Sequence, residues 1–432
     1  MDSPTIGIKD YDILVCRCSQ YPVVAGIPIL KKGIIGTARQ TADEVSSLIR
    51  AGRRHEALLS MIMPRPPARP ALAPTWVKML PSIKGINRLK ALTHAWRLRG
   101  WRERTAAFLE HPGDEVTTLD LLRWYFVQSG GNVDAYDYFA FRFGQPRHLV
   151  ALSFMSLVHR PQRPVLDLGC GFGHITRSLA RRSGAQPAIG LDRNFFGLYV
   201  AKTRIAPEGN YVCTEASQLL PFPDRAFSAL LCVDGFQLVE NKAVAIQELK
   251  RVTHEDGLIM LVASRNARVQ YRYARDPLPP EGYQALVADM PHRLVADNDV
   301  LSRYLQLNGP PLAHSASLEC LANESLLSVV ASHRREVFRD HGLFPDWPHA
   351  EGRLRLNPLF VEESPDERGK CRLRRVFPSA FYEQDNHECK RYLPEEVFVD
   401  AEVLKDVQAG KRTPAMEPLI TQCVVLGMPE GY

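Results

Sequence analysis

Four carboxylates and three glycines stand at spacings that suit a nucleotide-like ligand. Gly169, Gly171 and Gly173 alternate directly after the short apolar run of Val165, Leu166 and Leu168, which carries Asp167 within it. A run of that length predicts a buried parallel strand. Ile175, Leu179 and Ala180 then recur at helical spacing, and Gly184 stands where a helix C-cap is expected. Strand, glycine turn and helix make the first half of a βαβ unit, in which glycines let the backbone approach a ligand without Cβ clashes. A second apolar run, residues 188–192, ends in Asp192, nineteen residues beyond Gly173. A carboxylate at that place can accept both hydroxyls of a ribose.

The elements that must hold these groups follow in order. Residues 210–216 read as a third strand ending at Glu215 and Ala216. Residues 221–234 read as a loop feeding a fourth strand that ends at Val233 and Asp234. Residues 241–252 predict an amphipathic helix with Ala245, Leu249 and Val252 on one face, and residues 258–263 a fifth strand. The dinucleotide pattern G-x-G-x-x-G fails, because the sixth position from Gly169 is His174.

The order Asp167-Leu-Gly-Cys-Gly-Phe-Gly173, the Leu-Pro-Phe-Pro-Asp-x-x-Phe segment ending at Phe227 and the Glu-Leu-Lys-Arg-Val ending at Val252 resemble the class I S-adenosylmethionine (SAM) methyltransferases, with a type 11-like core. The resemblance covers about residues 164–265. Here Thr253-His-Glu-Asp-Gly257 replaces the usual Pro-Gly-Gly turn. The resemblance implies an α/β Rossmann-like fold, a seven-stranded doubly wound sheet, with a helical insert and an N-terminal extension. It implies SAM as cofactor and S-adenosylhomocysteine as product. Asp167 and the 169–173 loop (Gly169, Cys170, Gly171, Gly173) would hold the methionine end. Asp192 would hold the ribose, with Arg193 beside the adenine, Glu215 and Ala216 at the adenine edge, and Val233 after the fourth strand.

For catalysis, the resemblance points to Asp234, where substrate and cofactor meet in this class. Asp234-Gly-Phe-Gln237 differs from the Asn/Asp-Pro-Pro-Tyr motif of amine methylators, which argues against methylation of adenine N6 or of glutamine. Segments just before the first strand close over the site in similar enzymes, so Tyr136 or Tyr138 would line the methyl-transfer pocket. An aromatic core patch explains the same residues. His174 and His148 are alternative bases.

The chain has 432 residues, enough for two to three domains, with 45% hydrophobic and 24% charged residues, ordinary for a soluble globular protein. It has no 18-residue apolar run and no basic, apolar start, so neither a membrane span nor a signal peptide is expected. Nine scattered cysteines suit a reducing, cytoplasmic setting. Net charge is +6, yet between Arg50 and Arg104 thirteen Lys or Arg face two acids. A solvated face, an acidic carrier protein or other anionic partner, and RNA each explain this basic stretch.

Residues 1–36 contain Tyr21-Pro-Val-Val-Ala-Gly-Ile-Pro28, similar to the second half of the zinc-ribbon domains of tRNA and rRNA methyltransferases. A ribbon needs two cysteine pairs, and only Cys16 and Cys18 stand here, so a metal-free hairpin is expected and no metal site. Residues 37–110 read as a basic helical arm with a proline-rich linker, and 111–265 as the first part of the core. Residues 266–350 read as a helical insert covering the substrate, with residues 294–307 its clearest helical period. Residues 351–432 read as the core's last strands, the sixth at 371–377 and the seventh, antiparallel, at 421–428. The function expected first is methyl transfer to a small molecule, such as a secondary metabolite. RNA methylation and non-catalytic SAM binding are the alternatives.

Overall fold

The computed structural model describes residues 9–17, 19–31, 33–35, 40–62, 103, 116–128, 132–273, 275–344, 352–366 and 369–432. The proline-rich linker and nearly all of the basic stretch at 82–109 lie outside them.

Five parallel strands arise from the expected apolar runs: Val165–Leu168, Ala188–Asp192, Asn210–Cys213, Phe227–Val233 and Thr253–Arg265. We number them first to fifth. Their centres are buried on both faces, which near-continuous Val, Leu and Ile require of strands covered by helices on each side. The helix Lys242–Val252 starts at an Asn241 cap and packs Ala245, Ile246, Leu249 and Val252 into one of the two cores.

The sixth and seventh strands are not where their sequence pattern put them. His292–Ala296 and Leu326–Ala331 complete the sheet, in the order third, second, first, fourth, fifth, seventh, sixth. The seventh runs antiparallel to both neighbours. Within the described residues of 266–344 the chain therefore gives the sheet two strands, beside the helices Pro280–Leu286, Asp297–Leu305 and Leu318–Leu321. The periodic piece at 294–307 is a strand end followed by the helix Asp297–Leu305.

The physical reason lies in burial. Leu327, Val329, Val330 and Ala331 are fully buried, as an interior strand demands. Lys370–Arg375, expected as the sixth strand, buries Cys371 and Leu373 and turns Lys370 and Arg374 outward. That alternation suits a half-covered antiparallel sheet. It pairs with Phe360–Glu362 and Glu396–Asp400 in a separate three-stranded sheet, while Val425–Met428 pairs with Arg353–Leu356.

The N-terminal residues form the expected hairpin, Tyr11–Val15 with Gln20–Val24, extended by Ile27–Pro28. The unit docks on the edge of the main sheet. Ile29 makes a parallel bridge to Cys213, Leu30 N donates to Cys213 O across 2.9 Å, and Thr214 Oγ1 donates to Leu30 O across 2.9 Å. An otherwise open strand edge is thereby covered. Residues 41–62 form two helices, Ala42–Arg50 and Arg54–Ile62, the first closed by a Thr41–Glu44 capping box.

Two helices precede the first strand and bear on the site. Val133–Ala140 starts at an Asn132 cap, and Pro146–Phe154 has proline in its first turn, where the missing N–H costs nothing. No helix among the described residues is long and apolar enough to cross a membrane.

Candidate active site

The sheet order reverses between the first and fourth strands, and a cavity of about 620 Å³ opens there at the strands' carboxyl ends. Its first half is built from the three strand-end acids. Asp167 is buried and accepts from Thr176 Oγ1 across 2.6 Å. Burial pushes its carboxyl up to about 7 against that hydrogen bond, so the group gains from a cation placed beside it. Asp192 Oδ2 accepts from Gly171 N (2.9 Å) and Oδ1 from Asn194 N (2.8 Å), which ties the glycine loop to the second strand. Burial raises the Asp192 carboxyl as well, partly offset by those backbone donors.

Gly169 has φ +70°, and a Cβ there would meet no atom within 4 Å. Because Gly169 lines the cavity, that empty volume is part of the ligand cradle. Gly173, at φ +80°, would place a Cβ 2.7 Å from Ala201 Cβ, so its small size serves packing of the following helix. Arg193, Ala216 and Val233 also line the cavity, and Glu215 is ion-paired with Lys31 from the N-terminal unit. Cys170 borders it too, but burial, with Asp167 and Asp192 nearby, pushes its thiol well above the ordinary range, leaving a neutral packing group.

The second half is centred on Asp234, held at φ +53°, a conformation that Asp tolerates better than most residues. Tyr138 Oη donates to Asp234 Oδ2 across 3.0 Å, and Gln237 Nε2 donates to Oδ1 across 3.0 Å. Arg147 Nε lies 3.5 Å and Arg142 Nη1 3.9 Å from Oδ2. Arg142 also sits over the Tyr138 ring, 4.7 Å from its centroid. Burial pushes the Tyr138 hydroxyl far above its ordinary value, so it acts as a donor. Tyr271, Tyr273, Phe381 and Tyr382 close this half of the cavity. Tyr273 and Arg272 reach Asp134 across the mouth.

The two candidate catalytic residues, Tyr138 and Asp234, thus meet in one cavity with every residue expected to hold the cofactor except Gly173, which packs beneath the loop. Tyr136 does not line it; its hydroxyl accepts from Arg123 Nη2 across 3.2 Å. His174 borders the cavity yet is packed among Phe139, Phe143 and Tyr432, and burial, with Arg142, holds it well below its ordinary value. His148 lies outside the cavity lining, buried and held neutral in the same way. Among the basic and aromatic residues of 268–293, only Tyr271 and Tyr273 line the cavity. Lys31, Arg142, Arg147 and Asp385 carry no motif. The one signal for Asp385 is the density of ionisable groups in residues 382–392.

Residues 166–261 match the family model described as Methyltransferase domain. The chain carries a methyltransferase domain of class I fold. Among curated proteins, the ubiquinone/menaquinone biosynthesis C-methyltransferase UbiE of Hydrogenovibrio crunogenus is 29% identical over 168 residues, 37% of this chain and 61% of that protein. The UbiE protein of Legionella pneumophila is 34% identical over 122 residues, 27% of this chain and 47% of that protein. The chain therefore spans about half to three fifths of these relatives' length. A SAM-dependent methyltransferase structure from Aquifex aeolicus aligns with 44% of this chain and 94% of its own at 14% identity, with a TM-score of 0.33.

SAM is the cofactor of this class, and the residues of the methyltransferase domain fit it. A glycine cradle whose Cβ position is open, a buried acid that gains from a cation, and a second acid at a strand end match an ammonium, a sulfonium and a ribose diol.

Proposed function

We propose that this chain is a SAM-dependent methyltransferase acting on a small-molecule acceptor, of the kind found among secondary metabolites. The observation that carries the reading is the single cavity in which the glycine cradle and the Tyr138–Asp234 pair face each other. A cavity of about 620 Å³ lies in the usual range for small-molecule sites, roughly 300–1,000 Å³. The relatives' name, C-methyltransferase of ubiquinone/menaquinone biosynthesis, favours a small acceptor over RNA.

SAM, when bound, supplies a methyl group on a cationic sulfur and is left as S-adenosylhomocysteine. The protein's part is to orient, to exclude water and to take a proton. Tyr271, Tyr273 and Phe381 line the cavity with Asp234 and would help to orient the acceptor there. Orientation of this kind lowers a barrier by up to about 7–11 kcal/mol. An acceptor O–H, N–H or acidic C–H gives its proton to Asp234 Oδ2, while Tyr138 Oη donates to the same carboxylate and holds its direction. A positioned base contributes about 10²–10⁴-fold.

The test is label transfer. Purified protein, methyl-labelled SAM and host extract are combined, and label is followed into small-molecule, RNA and protein fractions. Label in small molecules, lost in Asp234→Asn, supports the reading. Label in RNA or protein alone refutes it.

A further inference from the structure

Behind Asp234 lies a buried charge cluster contributed by four distant parts of the chain. Arg147, from the helix Pro146–Phe154, is 1% exposed and stands between two carboxylates. Its Nη2 makes a 2.6 Å ion pair with Asp385 Oδ2 and donates to the Asp385 carbonyl across 3.1 Å. Its Nε stands 3.5 Å from Asp234 Oδ2 and, like Nη1, has no hydrogen-bond partner among the described residues. Asp385 is held from the other side: Arg265 Nη2 donates to Oδ1 across 2.8 Å, and Tyr271 Oη to Oδ2 across 3.4 Å. Burial would raise the Asp385 carboxyl, but Arg147 and Arg265 outweigh it and hold the group below its ordinary range. Asp385 is thus a fixed negative charge, with both oxygens occupied.

The guanidinium of Arg147 has one strong partner and one weak one. Had it closed on Asp234, a buried, charge-assisted pair would pin that carboxylate and make it a poor proton acceptor. We propose that Asp385 is a positioning residue for Asp234: by taking the Nη2 end of Arg147 it leaves the Asp234 carboxylate directed by Tyr138 and Gln237 and open to a proton from the acceptor. This inference rests on the reading of Asp234 as the proton acceptor. It also gives the helix Ala380–Asp385, which lies outside the family-matched residues, a role at the acceptor site.

The charged and titratable groups around Asp234 are Tyr138, Arg142, Arg147, Tyr271, Cys232 and Asp297. Of these, only Arg147 is shared directly with Asp385 through an ion pair.

The test follows the Asp234 carboxyl itself, so it needs no acceptor. The full chain is labelled with ¹³Cγ-aspartate, and the Asp234 signal is assigned by its loss in Asp234→Asn. In Asp385→Asn, Arg147 is released towards Asp234, and the pH midpoint of that signal falls by about one unit. In Arg147→Lys, which keeps a buried cation but lacks the fork that spans both carboxylates, the midpoint rises. Opposite movements support the proposal; midpoints that stay put, or move in the same direction, overturn it. If Asp385→Asn does not fold, a rise in Arg147→Lys supports the proposal and an unmoved or lower midpoint overturns it. Calorimetry of the wild-type chain with SAM reads the proposed function separately: absence of binding refutes that function while the carboxyl titration still decides the role of Asp385.

Discussion

Tyr138 Oη and Asp234 Oδ2 stand 3.0 Å apart, although 96 residues separate them in sequence. The bond joins the helix before the glycine loop to the turn after the fourth strand, and both residues line the cavity. Asp234→Asn is expected to lower kcat by about 10²–10⁴-fold with little change in SAM affinity. Tyr138→Phe, which removes only the donor, is expected to lower kcat by about tenfold. Steady-state kinetics with the identified acceptor, beside calorimetry with SAM, checks both. Weakened SAM binding in either variant would move these residues to the cofactor half.

Asp192 both lines the cavity and accepts from Gly171 N. Asp192→Ala is expected to weaken SAM binding by about 10–100-fold, roughly 1.4–2.8 kcal/mol, with the circular dichroism of the folded chain retained. Unchanged affinity would remove the ribose from Asp192.

Asp167 sets a pH dependence. Its carboxyl is raised by burial from 3.8 to about 7 in the free protein. The folded state therefore binds a proton more tightly than the unfolded chain. Its contribution to stability is complete below about pH 4 and is lost as pH rises towards 7, at no more than about 1.4 kcal/mol per unit. Buried Asp297, also pushed up to about 7, adds to the same slope, so the Asp167 share is read as the difference from Asp167→Asn. A bound ammonium favours the ionised carboxylate, so SAM binding should release a proton below pH 7 and tighten as pH rises. Calorimetry in two buffers of different ionisation enthalpy measures that release.

Among the described residues, Lys31 is the one cavity-lining residue brought by the N-terminal unit, and it pairs with Glu215. The pair is partly exposed, so Lys31→Ala should cost less than about 1 kcal/mol of stability. SAM affinity should fall about three- to tenfold, because Glu215, the acid expected at the adenine edge, loses its anchor. Glu215→Gln should match it, and the double variant should be no worse than either single one. Additive losses would show that the two side chains act separately.

How much of this could be read in the chain depended on the reach of each signal. Val165–Leu168, the alternating glycines and Asp192 lie within 28 residues of one another, and local apolar period and turn chemistry locate them. The fourth strand and Asp234 follow by the same logic. The sixth and seventh strands were misplaced because a strand-like alternation, as in Lys370–Arg375, shows only that one face is buried and not which sheet it joins. Lys31 and Asp385 have no local mark, since their partners Glu215 and Arg147 are 184 and 238 residues away. The N-terminal hairpin was legible, but its seat on Cys213 was not, because a strand edge is created only by the finished sheet.

The scattering of the site along the chain also dictates a timetable during synthesis. Every side chain of the cofactor half has been made once Asp234 emerges, whereas Asp385 follows after a further 151 residues. At about 5–20 residues per second that interval is roughly 8–30 s. A nascent chain on the ribosome thus owns the groups that grip the cofactor well before it owns the roof of the acceptor chamber, and methyl transfer must wait for the last of the two to arrive.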